Sequence, residues 1–357
     1  MRKQIETEGE QTELVKTGSM ELQYAENFAV DYYEDGYKML TTLPDSKRYL
    51  LVPEGQPVPR GLDEDVSILQ EPLQNIYLVA SGVMDMFASL DAVDQIRFSG
   101  QKQENWYIQT AKDAMEAGDM IYAGKYSKPD YELLVSEGCD LAIENRMITH
   151  SPEVVEMLQS FDIPVMIEYS SYEKHPLGKV EWVKFFGALT GKEAEAEEAF
   201  AEQTEILEEV ESGEKTGKTI AFFYVTSNGL IQVRQSTDYI PKLIELAGGR
   251  YIFEDLEDSG SGRSTLNMPV EDFYAGAKDA DILIYNSSID GGVTTVDELI
   301  GKCNILKDFK AVQEGQVYCT TNDMYQQSMA IGYLLQDMHT VLTDDDTAKL
   351  RYLFLLQ

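Results

Sequence analysis

The chain has 357 residues, 43% of them hydrophobic, a size that suits two domains with sizeable cores. It carries 29 Lys and Arg against 63 Asp and Glu, a formal net charge of -34. That balance excludes sequence-independent nucleic-acid binding and a polybasic membrane patch, both of which need basic surface.

Cys139, Cys303 and Cys319 are far apart and show neither a zinc spacing nor a disulfide framework. No apolar run is long enough to span a membrane. The opening "MRKQIETEGEQTELVKTGS" is polar and aperiodic, and residues 1–19 read as a flexible leader.

Next, "FAVDYYE" and "YKMLTTL" predict a hairpin closed by Glu34-Asp35-Gly36, and "RYLLVPEG" a third strand. Residues 20–74 thus form a β-rich opening. From Ile76 onward, short apolar strands alternate with amphipathic helices: "NIYLVASG", "QIRFSG", "MIYAG", "DLAIEN" and "IPVMIEYSS" are strands, with helical patterns between them. Such alternation predicts a parallel sheet covered by helices.

A central helical segment follows, broken at Gly191. Trp182, Phe186 and Leu189 share one face of its first part. Ala199, Gln203, Ile206 and Val210 share a face of its second part, opposite dense acidic residues. Roughly 20 residues at about 1.5 Å each give the second helix about 30 Å, enough to cross between lobes. The alternation then restarts with "KTIAFFYVTSN", "STDYIPKLIELAGG", "MPVEDFYAGAKD", "ADILIYNSS", "TVDELIGK" and "GQVYCTT", and a closing helix begins near Tyr325.

The expected fold is therefore α/β: two lobes with mainly parallel sheets joined by a long rigid interlobe helix, with a β-rich N-terminal extension. The lobes are residues 20–176 and 216–357, with a helical connector over 177–215.

In parallel α/β lobes, ligands gather beyond the carboxyl ends of the strands. That rule selects Asn145, Arg146 and Tyr172 in the first lobe, and Tyr224, Arg263, Asn286 and Tyr325 in the second. Trp106, in a polar loop, either lines the cleft or packs in the core. Lys125 and Tyr126 lie in a strand-end loop: Lys125 is placed to point into the cleft, and Tyr126 either lines the cleft or packs in the core or on the surface. Arg146, Arg234 and Arg263 either grip a carboxylate or phosphate or form surface ion pairs. Among 21 tyrosines, Tyr126, Tyr172 and Tyr325 are the candidates for stacking on a flat ligand or for meeting ferric iron. His150, His175 and His339 form no metal-ligating pair. His175 either ligates haem or serves as a cap.

The order "HPLGKVEWVKFFGALTGKEAEAEEAF", strand, "YIPKLIELAGGRYIF", "MPVEDFYAGAKDADILIYN" resembles the substrate-binding proteins of iron-siderophore, haem and cobalamin ABC importers. The resemblance covers about residues 75–357. It implies ligand capture in an interlobe cleft and delivery to an ABC permease and its ATPase, without catalysis or a resident cofactor. The cargo it implies is a bulky metal complex, a ferric siderophore ahead of haem or a corrinoid. It places permease-docking carboxylates at Glu153 and Glu298. It also implies an extracytoplasmic, monomeric lipoprotein whose N-terminal lipid anchor has been removed. The long β-rich opening departs from the family pattern.

No GxSxG, GxGxxG, P-loop or HExxH motif is present, and "GSGR" at 260–263 reads as a mobile loop. The alternatives are a two-lobe enzyme of chelatase or transferase type and a structural surface protein. The enzyme predicts closure about a flexible hinge. The structural protein predicts no small-molecule ligand.

Overall fold

The computed structural model describes residues 14–256, 264–287, 290–345 and 347–357. The β-rich opening is a five-stranded sheet: β1 (Lys16–Ser19), β2 (Phe28–Tyr33), β3 (Lys38–Thr42), β4 (Lys47–Val52) and β5 (Val66–Gln70), in that spatial order. Neighbours run antiparallel except β4 and β5. The predicted hairpin forms between β2 and β3, with Asp35 and Gly36 both at positive φ. Lys16–Ser19, expected within the flexible leader, instead pairs with β2. Residues 1–13 of that leader lie outside the described residues.

The first lobe follows the expected alternation. Its elements are β6 (Ile76–Leu78), α1 (Val83–Ser89), β7 (Ile96–Ser99), α2 (Gln109–Ala117) and β8 (Ile121–Tyr122). A small hairpin of β9 (Gly124–Lys125) and β10 (Lys128–Pro129) follows. Then come α3 (Tyr131–Ser136), β11 (Leu141–Asn145), α4 (Pro152–Ser160) and β12 (Val165–Glu168). The strands form an all-parallel sheet in the order β12-β11-β6-β7-β8. Both faces are covered, so its strands are continuous apolar runs such as Ile76-Tyr77-Leu78.

The connector is a helical hairpin, α5 (Pro176–Thr190) and α6 (Glu193–Glu211), turned by Gly191 at φ 71°. The two helices lie against each other. A Cβ on Gly187 would stand 2.6 Å from that of Ala196, and Lys184 pairs with Glu197 at 2.9 Å. Both helices of the hairpin contact elements of both lobes. α5 is buried from Pro176 to Leu189, as its apolar character on every side dictates. It packs on α1, β2 and β3, and also on helices of the second lobe. α6 covers it from outside, burying Ala196, Phe200, Gln203, Leu207 and Val210 and turning its glutamates to solvent.

The second lobe contains β13 (Thr219–Val225), β14 (Ile231–Arg234), α7 (Tyr239–Leu246), β15 (Arg250–Tyr251), β16 (Thr265–Met268) and α8 (Val270–Ala277). It ends with β17 (Ile282–Tyr285), α9 (Val296–Lys302), α10 (Lys310–Gln313), β18 (Val317–Thr320), α11 (Ile331–Thr343) and β19 (Leu353–Leu355). The sheet order is β16-β14-β13-β17-β18-β19, with β15 also on β13. The central β13, β17 and β18 are parallel, flanked by antiparallel β14, β16 and β19. The closing helix starts at Ile331, later than expected, because Thr321–Gln327 is spent crossing back towards the first lobe. The α5 helix also touches α7 and α11.

Candidate functional site

A cavity of about 230 Å³ opens at the carboxyl ends of β6, β11 and β12. Its first-lobe walls are Ala80 and Ser81, Asn145 to Met147, and Glu168, Ser171 and Tyr172. Lys179 of α5 and Tyr325 of the second lobe complete it. The cavity is therefore interlobe.

Local folding fixes each wall. Asn145 accepts the Met147 N–H at 2.8 Å, which turns the chain after β11 and presents Arg146. The Arg146 guanidinium lies 4.6 Å from the centre of the Tyr172 ring, a cation–π contact. Glu168 ends β12 and accepts both the N–H and the hydroxyl of Ser170, at 2.8 and 2.5 Å. Burial pushes its carboxyl pKa up, and the Ser170 hydrogen bonds and Lys179 oppose the shift.

On the second-lobe side, the Tyr325 hydroxyl accepts from the Arg234 guanidinium and, at 2.9 Å, from Asn286. Arg234 ends β14 and is 7% exposed. Its guanidinium also reaches Asp238 at 3.5 Å, while Asp238 caps α7 by accepting the Ile240 N–H. Burial raises the Asp238 pKa, and the Arg234 charge opposes that.

The structure thus brings together Asn145, Arg146, Tyr172 and Tyr325, with Arg234 and Asn286 behind Tyr325. Other candidates stand elsewhere. Trp106 is 1% exposed and donates its indole N–H to Ser99 at 3.0 Å, so it belongs to the core. Lys125 and Tyr126 sit on the β9–β10 hairpin beyond β8, the sheet edge remote from β12. Tyr126 packs against the Tyr77 cluster. Tyr224 packs in the second-lobe core, its ring 6.3 Å from that of Tyr285. Arg263 lies outside the described residues, as does the rest of the 260–263 loop.

His175 acts as a cap: its Nδ1 accepts the Leu177 N–H at 3.2 Å, and its ring stacks on Tyr24 at 4.5 Å. Glu153 is exposed in the first turn of α4. Glu298 is exposed too, but its carboxylate accepts from the Thr294 N–H and hydroxyl, while Thr295 caps its own N–H. Among the described residues, no group of three or more His, Cys, Asp or Glu is placed to hold a metal ion.

Sequence reasoning missed Lys179 and Glu168. Glu168 ends a strand, so the strand-end rule could have found it. Lys179 offered a subtler signal: Lys179, Glu181 and Lys184 interrupt the apolar run of α5 without forming one polar face.

The profile of the periplasmic binding protein family matches residues 78–324. Two uncharacterised lipoproteins of Methanocaldococcus jannaschii are each 24% identical to the chain. One match covers 90% of this chain and 81% of the relative, the other 87% and 79%. Among solved structures, the periplasmic haem-binding protein HutB of Vibrio cholerae superposes with a TM-score of 0.59 at 15% identity, over 75% of this chain and 98% of that one. An ABC-type Fe3+-hydroxamate transport protein of Saccharomonospora viridis gives 0.58 at 17% identity, over 76% and 93%.

Proposed function

The chain belongs to the periplasmic binding protein family, and from that premise we propose that it captures a ferric siderophore in the interlobe cavity and delivers it to an ABC permease. The family is one of substrate-binding proteins of ABC importers that work outside the cytoplasm. Among the described residues, no helix is long and apolar enough to cross a membrane. Tethering by an N-terminal lipid is supported by the two lipoprotein relatives.

The observation that carries the ligand reading is the Arg146 guanidinium on the first-lobe wall, with a second guanidinium, that of Arg234, buried behind Tyr325 on the other side. Arg146 comes from the first lobe and Arg234, through Tyr325, from the second. In a chain of net charge -34, cations gathered in the cleft favour an anionic cargo. That ranks an anionic ferric chelate first, haem with its carboxylates next and a corrinoid last. Tyr172 and the exposed Met147 supply apolar contact at the rim. The receptor acts as a monomer, binds without covalent chemistry, and docks on the permease through Glu153 and Glu298.

The test is thermal shift of ligand-free protein, verified by native mass spectrometry and absorbance, against ferric siderophores, haem and cobalamin. Saturable stabilisation by a ferric siderophore is expected, because a ligand that binds only the folded state stabilises it. No stabilisation by any of them would remove the metal-complex reading.

A further inference from the structure

Lys179 sits in the middle of the cleft problem. It comes from α5, the helix on which both lobes rest, and it is 3% exposed. The little surface it keeps faces the interlobe cavity. Among the described residues its ammonium makes no hydrogen bond and no ion pair within 4.0 Å, and lies 4.9 Å from the centre of the Tyr239 ring. A buried ammonium with three donors and no acceptor is costly unless something arrives to take them.

The neighbouring carboxylates do not fill that role. Asp85, Glu168 and Asp238 all feel the lysine charge. Each is engaged elsewhere: Asp85 with the Met329 N–H at 2.7 Å, Glu168 with Ser170, and Asp238 with Ile240 and Arg234. Arg146 and Tyr325 stand on the same cavity, one from each lobe.

We propose that Lys179 is a ligand-binding residue, its ammonium taking an anionic oxygen of the cargo at the floor of the cleft. The cargo is then an anion gripped from three directions: the first lobe through Arg146, the second through Tyr325, whose hydroxyl Arg234 holds from behind, and the connector through Lys179. This deepens the receptor reading and rests on it. It also makes α5 a part of the binding surface as well as a support.

The experiment compares wild type, Lys179→Met and Lys179→Arg against two ferric chelates of similar size, an anionic tris-catecholate and an uncharged tris-hydroxamate. The expected result is that Lys179→Met binds the anionic chelate at least about tenfold more weakly. It binds the uncharged one as wild type does, and Lys179→Arg recovers part of the loss. Ligand-free Lys179→Met should melt no lower than wild type, since it replaces a buried unpaired charge by an apolar chain of similar volume.

Equal binding of the anionic chelate by wild type and Lys179→Met would overturn the proposal and leave the receptor reading standing. So would a wild-type preference for the uncharged chelate. If neither chelate binds wild type, the ferric-chelate reading fails, and citrate and pyrophosphate decide the lysine's role. Stabilisation of wild type but not of Lys179→Met by either anion supports the proposal; its absence overturns it.

Discussion

The side chain of Gln326 clamps the backbone beside Tyr107. Its Oε1 accepts the Tyr107 N–H at 2.8 Å, and its Nε2 donates to the Asn105 carbonyl at 2.8 Å. The clamp crosses the lobes and adjoins Tyr325 in sequence, so the residue that closes the cavity is held from both sides. Nearby, the Met329 N–H donates to Asp85 at 2.7 Å, a second bond between lobes. Gln326→Ala removes the clamp and leaves a donor and an acceptor at a partly buried junction. The expected cost is about 1–3 kcal/mol, read as a lower denaturant midpoint at unchanged slope. Ligand should also produce a larger change of shape in small-angle scattering than in wild type. A variant indistinguishable in both would show that α5 packing alone sets the lobe geometry.

Arg146 and Arg234 should separate binding from stability. Arg146 is half-buried at the cavity rim, so Arg146→Ala should weaken an anionic chelate by about tenfold while stability changes little. Arg234 is buried beside buried Asp238, and Arg234→Ala strands that carboxylate at a cost of about 3–5 kcal/mol. The pH dependence has a definite sign. Burial already raises the Asp238 pKa, and losing the opposing arginine charge raises it further. The variant's penalty is therefore small where Asp238 is protonated and grows as pH rises through its folded pKa. Denaturation followed from acid to neutral pH checks this: a penalty that does not change with pH would mean that Asp238 is not the stranded group.

The alternating α/β build was legible because each strand is a short apolar run closed by Gly, Ser or Asn, with an amphipathic helix after it. The strand-end rule then found Asn145, Arg146, Tyr172 and Tyr325 without reference to any relative. What was not legible depended on distant partners. β5 has acidic and Pro/Gly-rich flanks and no strand reading of its own, and it is held as a strand by pairing in parallel with β4. β14 is four residues long and exists by pairing with β13 and β16. Trp106 reads as either cleft or core because its sequence neighbours are polar, and the ring turns inward to Ser99. Lys179 enters the site only because α5 is buried on every side.

Glu144 supplies a prediction on pH. It is 0% exposed on β11, and neither carboxyl oxygen has a hydrogen-bond partner among the described residues. Burial raises its pKa to about 8 from an ordinary value of 4.5. The folded protein therefore holds a proton that the unfolded chain releases above about 4.5, and stability attributable to this group falls as pH rises from there to about 8. Glu144→Gln should match wild type near pH 4 and exceed it at pH 8.5, by an amount on the order of a few kcal/mol. Since Asn145 and Arg146 follow directly, wild-type ligand affinity should fall only as pH rises through about 8, where folded Glu144 ionises, and Glu144→Gln affinity should not. Parallel pH profiles for the two proteins would show that the carboxyl finds a partner in solution.

The N-terminal extension is pinned by two buried carboxylates. Glu181 of α5 accepts the N–H groups of Gln23, Tyr24 and Ala25, each at 2.8 Å, and Glu173 accepts those of Glu26 and Asn27. The family profile begins only at residue 78. The archaeal lipoprotein match covers 90% of the chain, too much to leave the extension out. Glu181→Ala orphans three donors at once, and about 3 kcal/mol or more should be lost. Hydrogen exchange should then show the 20–27 segment opening first. Loss of stability without faster exchange in that segment would place the role of Glu181 within α5 instead.

Permease docking can be tested apart from binding, and the structure dictates which variants are clean. Glu153 is exposed and Glu153→Lys reverses a charge without breaking a bond among the described residues. Glu298 is different, because its carboxylate holds the Thr294 N–H and hydroxyl, and these bonds keep its pKa below the usual carboxylate value. Glu298→Lys would therefore fray the start of α9 as well as reverse a charge. Glu298→Gln keeps an acceptor for Thr294 and removes only the charge, so it is the control for the cap. The expected outcome is that Glu153→Lys with Glu298→Gln abolishes uptake in cells while purified protein binds ligand and melts as wild type does. Rim charges on a docking surface act chiefly on association with the partner, so raised salt should weaken wild-type uptake in the same direction. Normal uptake by the double variant would remove both glutamates from the docking surface, and the permease would then have to read other carboxylates on this strongly acidic chain.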